Sequence, residues 1–114
     1  MGDEYTLNRP FTLSCPECSG VMERSATGTL LQWRCHIGHV LTGDAMLEAQ
    51  AVALEMRLGS VLSLLNERAE LCRQLAENAV SEGQDPALLE AARQEALQRA
   101  EAVRALLESE WVPA

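Results

Sequence analysis

Four side chains constrain this chain more than any other feature. Cys15-Pro16-Glu17-Cys18 is a CxxC pair, sixteen residues separate Cys18 from Cys35, and three separate Cys35 from His39. Two residues between thiolates let a tight turn aim both sulfurs, and its own backbone N–H groups, at one ion. Between the pairs, Val21-Met22-Glu23-Arg24 and Leu30-Leu31-Gln32-Trp33-Arg34 read as two short strands. Ser25-Ala26-Thr27-Gly28 is their expected turn, with Gly28 free to take a positive φ. Such a hairpin returns the chain so that Cys35 and His39 complete a tetrahedron. Three sulfurs and one imidazole nitrogen suit Zn²⁺, and four protein ligands leave no open position, so the predicted ion is structural.

Other readings of the same residues are weaker. A redox CxxC would need the βαβ context of a thioredoxin-like site, and a disulfide would need an oxidising compartment. His36 competes with His39, but it adjoins Cys35, and successive side chains of an extended segment point to opposite sides. His39 is therefore the expected fourth ligand. Cys72 falls on a helical seam, where cysteine behaves as a small hydrophobe. Size favours a metal too: about 30 residues with few large apolar groups bury too little surface alone, and a bound ion supplies folding energy.

The remaining chain is of another kind. Aromatic residues make up only 4% of the 114 residues, and Ala and Leu dominate, which favours helices over a β-sandwich. From Asp44 to about Ser81 there is no Pro, and Gly59 is the only Gly. Thr42 can cap this helix, with Asp44 and Glu48 near its positive end. Leu47, Ala51, Leu54, Leu58, Val61, Leu65, Cys72, Leu75 and Ala79 recur in steps of four and three, interrupted by Arg68; they form the predicted packing seam. Gly83 can end the helix, and Asp85 and Pro86 can start a second that runs to about Glu110. Its expected apolar face is Leu89, Ala92, Ala96, Ala100, Val103 and Leu107. A short connection makes the two helices antiparallel neighbours. The first is the longer, so Leu47, Ala51 and Leu54 need another cover, and the ribbon is the nearest. Trp33 is expected to pack in the ribbon, Trp111 over the helix ends, and Glu95–Arg99 to pair on a solvated face.

The predicted fold is thus a small zinc-ribbon-like β hairpin followed by a long antiparallel α-helical hairpin, mostly α. Residues 1–10 are expected to be a loose leader, 11–42 the ribbon, and 43–114 a two-helix hairpin packed with the ribbon. A flank of Met46, Ala53, Leu64 and Leu71 lies beside the seam. With the ribbon over its start, Leu64 and Leu71 remain as a candidate partner-binding surface, for another protein or for a homodimer.

Charge narrows the function. The net charge is −8; residues 1–43 carry four acidic and three basic side chains, the remainder thirteen and six. No basic patch is available to displace counterions from phosphate, so neither nucleic acid nor an anionic membrane is an expected partner. No signal-peptide pattern or membrane-length apolar run is seen, and the expected compartment is the cytoplasm.

The motifs resemble a known family. Phe11, Cys15-Pro16-Glu17-Cys18, Gly20-Val21, Arg34-Cys35, Gly38-His39, then Leu47, Gln50, Glu55, Leu62 and Glu67-Arg68-Ala69 are similar to a tail that follows the catalytic domain in many bacterial chemotaxis protein-glutamate methylesterases. The resemblance runs from about residue 11 to 76. It implies that Cys15, Cys18, Cys35 and His39 are the tail's metal ligands; the position of His36 is often Arg in such tails. Val40-Leu41 departs from the small-plus-aromatic pair usual after the His, and Gly59 stands where relatives tend to carry Trp. The esterase needs a Ser-His-Asp arrangement on an α/β domain, which these residues do not contain, so esterase activity is not expected. The leading expectation is a non-enzymatic, zinc-binding interaction module in chemosensory or related signalling. The alternatives are a zinc-ribbon nucleic-acid binder and a zinc or thiol enzyme.

Overall fold

The structure is a computed structural model that describes residue 7 and residues 9–111. Most of the expected leader, residues 1–6 and 8, lies outside the described residues. The chain divides into two compact units, one up to Ala53 and one from Leu54.

The first unit carries a four-stranded antiparallel sheet in the order β1-β2-β3-β4. The strands are β1 (Leu13–Ser14), β2 (Val21–Thr27), β3 (Leu30–Cys35) and β4 (Val40–Thr42). The expected hairpin is present, with a tighter turn than expected. Thr27 pairs with Leu30, leaving only Gly28 and Thr29 between the strands. Gly28 has φ 64°, so the positive φ falls on the first central residue, as a type II′ turn requires. The register aligns Leu13, Met22 and Cys35 across three strands, and Arg24, Trp33 and Leu41 across the next row. Residues on one face of a strand alternate, so the apolar members of these rows share a face. Cys15, Met22, Cys35 and Met46 form its buried cluster, with Leu13, Cys18, Trp33 and Leu41 packed around it. Phe11 is fully exposed and precedes β1.

Helix α1 (Gly43–Ser81) starts where β4 ends. The Ala45 N–H donates to Thr42 Oγ1 at 3.4 Å, the expected N-terminal cap. Its end is a Schellman arrangement: the Gln84 N–H donates to the Ala79 carbonyl at 2.7 Å and the Gly83 N–H to that of Val80 at 3.0 Å. Gly83 has φ 73°, a conformation a Cβ would strain. Helix α2 (Ala87–Glu108) follows. Pro86 is its N-cap, and Asp85 Oδ1 accepts the Ala87 N–H at 3.0 Å. Trp111 is 52% exposed, and its Nε1–H donates to the Leu106 carbonyl, satisfying one of the last carbonyls of α2.

In the helical hairpin, α2 presents the expected face: Ala96 and Ala100 are buried, and Leu89, Ala92, Val103 and Leu107 half-buried. The face of α1 differs. Leu58, Leu65, Cys72 and Ala79 are on the inner side as expected, but the positions between them are Leu62, Ala69 and Ala76, while Val61 and Leu75 are exposed. Choosing Ala69 and Ala76 brings small residues inward and leaves Arg68 in solvent, whereas the expected stripe would have turned Arg68 into the interface. At the start of the helix the same displacement holds. Met46 is buried on the sheet and Ala49, Gln50 and Ala53 are half-buried, while Leu47, Ala51 and Leu54 face solvent. Met46, read as part of the flank, is therefore a core residue of the first unit.

Candidate metal centre

Each half of the centre is a turn that begins at a cysteine. In the first, the Ser19 N–H donates to the Cys15 carbonyl at 2.8 Å and the Cys15 N–H to the Gly20 carbonyl at 2.7 Å. In the second, the Gly38 N–H donates to the Cys35 carbonyl at 3.1 Å and the Cys35 N–H to the His39 carbonyl at 3.0 Å. Both turns need a positive φ, at Ser19 (65°) and Gly38 (105°). Strands β2 and β3 carry the second turn back to the first.

The result is a cluster of Cys15, Cys18, Cys35 and His39, whose ligand atoms all lie within 4.8 Å of one another. His39 Nδ1 is 3.2 Å from Cys35 Sγ and 3.6 Å from Cys15 Sγ. The sulfurs of Cys18 and Cys35 are 3.7 Å apart. A tetrahedral ion with Zn–S of about 2.3 Å and Zn–N of about 2.0 Å sets ligand atoms roughly 3.5–3.8 Å apart. The side chains are positioned to bind one metal ion, and their donor set suits a thiophilic one.

The backbone prepares the sulfurs for that role. Burial pushes the Cys15 thiol up, but the N–H groups of Cys18 and Glu17 and the neighbouring side chains outweigh it, so its pKa is lowered. Cys35 follows the same pattern. Burial is opposed by the N–H groups of His39 and Ile37, and the thiol falls to about 6. Cys18 accepts the Gly20 N–H, yet burial and the nearby Cys15 and Cys35 sulfurs leave its thiol raised. His39 is raised by its contacts with Cys35 and Cys15, against burial. These shifts are those of a site in which negative sulfur is concentrated and a cation is favoured.

His36 is exposed and outside the cluster. Cys72 is buried in α1 as a small core residue. The sequence reading gave no role to Glu17, beyond its place between two ligands. In the structure its Oε2 lies 3.3 Å from His39 Nε2. The signal for it was the position itself, inside the CxxC turn. Leu64 and Leu71 are 67% and 53% exposed and line a shallow groove in the second unit with Val61, Leu65, Glu67 and Arg68.

Among the described residues, no helix is long and apolar enough to cross a membrane. No family model, curated protein or solved structure matches the chain, so the resemblance to the methylesterase tails stands on its sequence motifs alone.

Proposed function

We propose that this chain is a zinc-binding interaction module of bacterial chemosensory or related signalling, acting in the cytoplasm and without catalysis of its own. One structural Zn²⁺ holds the two cysteine turns together, and the helical hairpin presents a surface to a protein partner or a second copy. The observation that carries this reading is the four-ligand cluster, its ligand atoms within 4.8 Å of one another and three of the separations at 3.2–3.7 Å. Four protein ligands close the coordination shell, so the ion's role is folding rather than activation of water. The motif resemblance supports the signalling context, and the exposed groove around Leu64 and Leu71 supports the contact surface. A net charge of −8 weighs against a nucleic-acid partner.

Protein purified without added metal should contain one zinc per chain by elemental analysis. Metal-free protein with all four thiols reactive would remove the basis of the reading. Sedimentation across a concentration series, with Leu64→Glu and Leu71→Glu together, tests the surface. Concentration-dependent association abolished by the double variant is the expected result for self-assembly. A monomer throughout points to a different protein as the partner.

A further inference from the structure

Nδ1 of His39 is the ring atom that faces the sulfurs of Cys35 and Cys15, at 3.2 and 3.6 Å. The other nitrogen, Nε2, is 3.3 Å from Oε2 of Glu17. A neutral imidazole carries one N–H, and the nitrogen without it has the lone pair a metal needs. An ionised carboxylate only accepts. In a neutral ring the contact favours the proton on Nε2, facing Glu17, and leaves Nδ1, which faces the sulfurs, to coordinate.

We propose that Glu17 is a positioning residue for the metal, its carboxylate receiving the Nε2–H of His39 and thereby committing the ring to bind through Nδ1. This inference rests on the reading of the cluster as a zinc site. Glu17 is well placed for the task because it works at both ends of the centre. It stands between the two cysteines of the first turn, while its side chain reaches the histidine of the second. The residue thus ties the two ligand turns to each other before the ion arrives. Once the ion is bound at Nδ1, it withdraws charge from the ring and makes Nε2–H a stronger donor, and an ionised acceptor gains most from that. Coordination through Nε2 would require the ring to turn over and would leave the carboxylate against a nitrogen aimed elsewhere.

The Glu17 side chain is 56% exposed, so water competes for the contact. The expected loss of zinc affinity in Glu17→Ala is about tenfold, the low end of what removal of such an outer partner costs. Affinity would be measured by competition with a chelator, on the full chain. Long-range ¹H–¹⁵N spectra of the zinc-loaded protein would assign the His39 nitrogens. In the wild type, Nδ1 should be the metal-bound nitrogen and Nε2 the protonated one, with slow solvent exchange. In Glu17→Ala that exchange should quicken. Glu17→Gln keeps an oxygen acceptor, so it should lose less affinity than Glu17→Ala and retain the Nδ1 pattern. Glu90→Gln, which removes a surface carboxylate of α2, should match the wild type and exclude bulk charge as the cause. Zinc bound through Nε2 in the wild type would overturn the inference while leaving the metal site standing. So would affinity of Glu17→Ala within twofold of wild type, or equal losses in Glu17→Ala and Glu17→Gln with an unmoved Nε2–H signal. A wild type that takes up no zinc would overturn the site itself and this inference with it.

Discussion

In the sheet-bearing unit, the two side chains with less than 2% exposure are Cys15 and Cys35, and both belong to the ligand cluster. Among the described residues of the helical unit the buried ones are Ala69, Cys72, Ala76, Ala79, Ala96 and Ala100, and none of them belongs to the ligand cluster. The ribbon has four short strands, and only Met22 and Met46 are buried in it besides the thiols. Its interior is largely the ligand cluster. The hairpin has a line of small buried residues on its two helices, each contact weak and the whole additive. A bound ion would replace the core that the first region lacks; the second has its own buried apolar residues.

The comparison breaks most visibly if the ligands are removed. Cys18→Ser, or zinc stripped by a chelator, should leave most of the helical circular dichroism and shift Trp33 fluorescence toward that of solvent-exposed tryptophan. Trp33 packs against the buried ribbon cluster, so it reports that region. Loss of nearly all helix would show that the two regions fold as one.

A smaller effect sharpens the same contrast within the ribbon. Met46 is 4% exposed on the sheet, and Met46→Ala should lower the stability of the zinc-loaded ribbon by about 2 kcal/mol, the shallow end for such truncations. It would be read as a lower melting temperature in the Trp33 signal. A shift no larger than that of the exposed Met56→Ala would deny Met46 its core role. The matching change in the hairpin is Ala96→Leu. Ala96 is 2% exposed, and the added side chain should destabilise the helical unit by about 1–3 kcal/mol through overpacking, while leaving zinc content at the wild-type level. Unchanged helical melting would mean that the alanine interface is loose.

The two helices also differ in how far their packing could be read from residues alone. In α2 Leu89, Ala92, Ala96, Ala100, Val103 and Leu107 recur in steps of three and four with no polar residue among them, so the expected and observed faces coincide although Leu88, Leu97 and Leu106 lie exposed elsewhere on the helix. In α1 two stripes share Leu58, Leu65, Cys72 and Ala79 and differ only in what lies between. The larger side chains, Val61 and Leu75, favoured one stripe; the smaller Ala69 and Ala76 occupy the other. Burying Arg68 would have cost its hydration, and the observed face leaves it exposed. The interruption at Arg68 was thus the clue to the correct face. The ligand cluster was legible because its spacing is short and its residue types are few. Strand β4 was not, because three residues between Gly38 and a helix show no period of their own; its pairing with β3 exists only once the turn at Cys35–His39 is made. Glu17 was hidden for a similar reason, since its partner is 22 positions away and meets it only in the folded site.

The smallest effect concerns protons. At pH 7.5, three ordinary thiols with pKa 9.0 would release nearly three protons on binding zinc. With Cys35 at about 6 and Cys15 lowered, the thiols are already partly ionised above those values and give up fewer. Cys18, raised, still releases its own. The sign for acid follows: as pH falls through the lowered thiol values, protons compete with the ion, and zinc affinity declines. Calorimetry in buffers of different ionisation enthalpy counts the protons. His39, itself raised, adds its own proton to that count, so the thiol share is read from the thiolate ultraviolet absorbance of the metal-free protein; three fully protonated thiols there would contradict the electrostatics of the two turns.

X-ray absorption at the zinc edge tests the closed ligand set most directly. The account requires three sulfurs at about 2.3 Å and one imidazole nitrogen at about 2.0 Å, with no solvent oxygen in the first shell. Four sulfurs, or a shell completed by water, would contradict it: the first would replace His39 with Cys72, and the second would open the position that a structural site keeps closed.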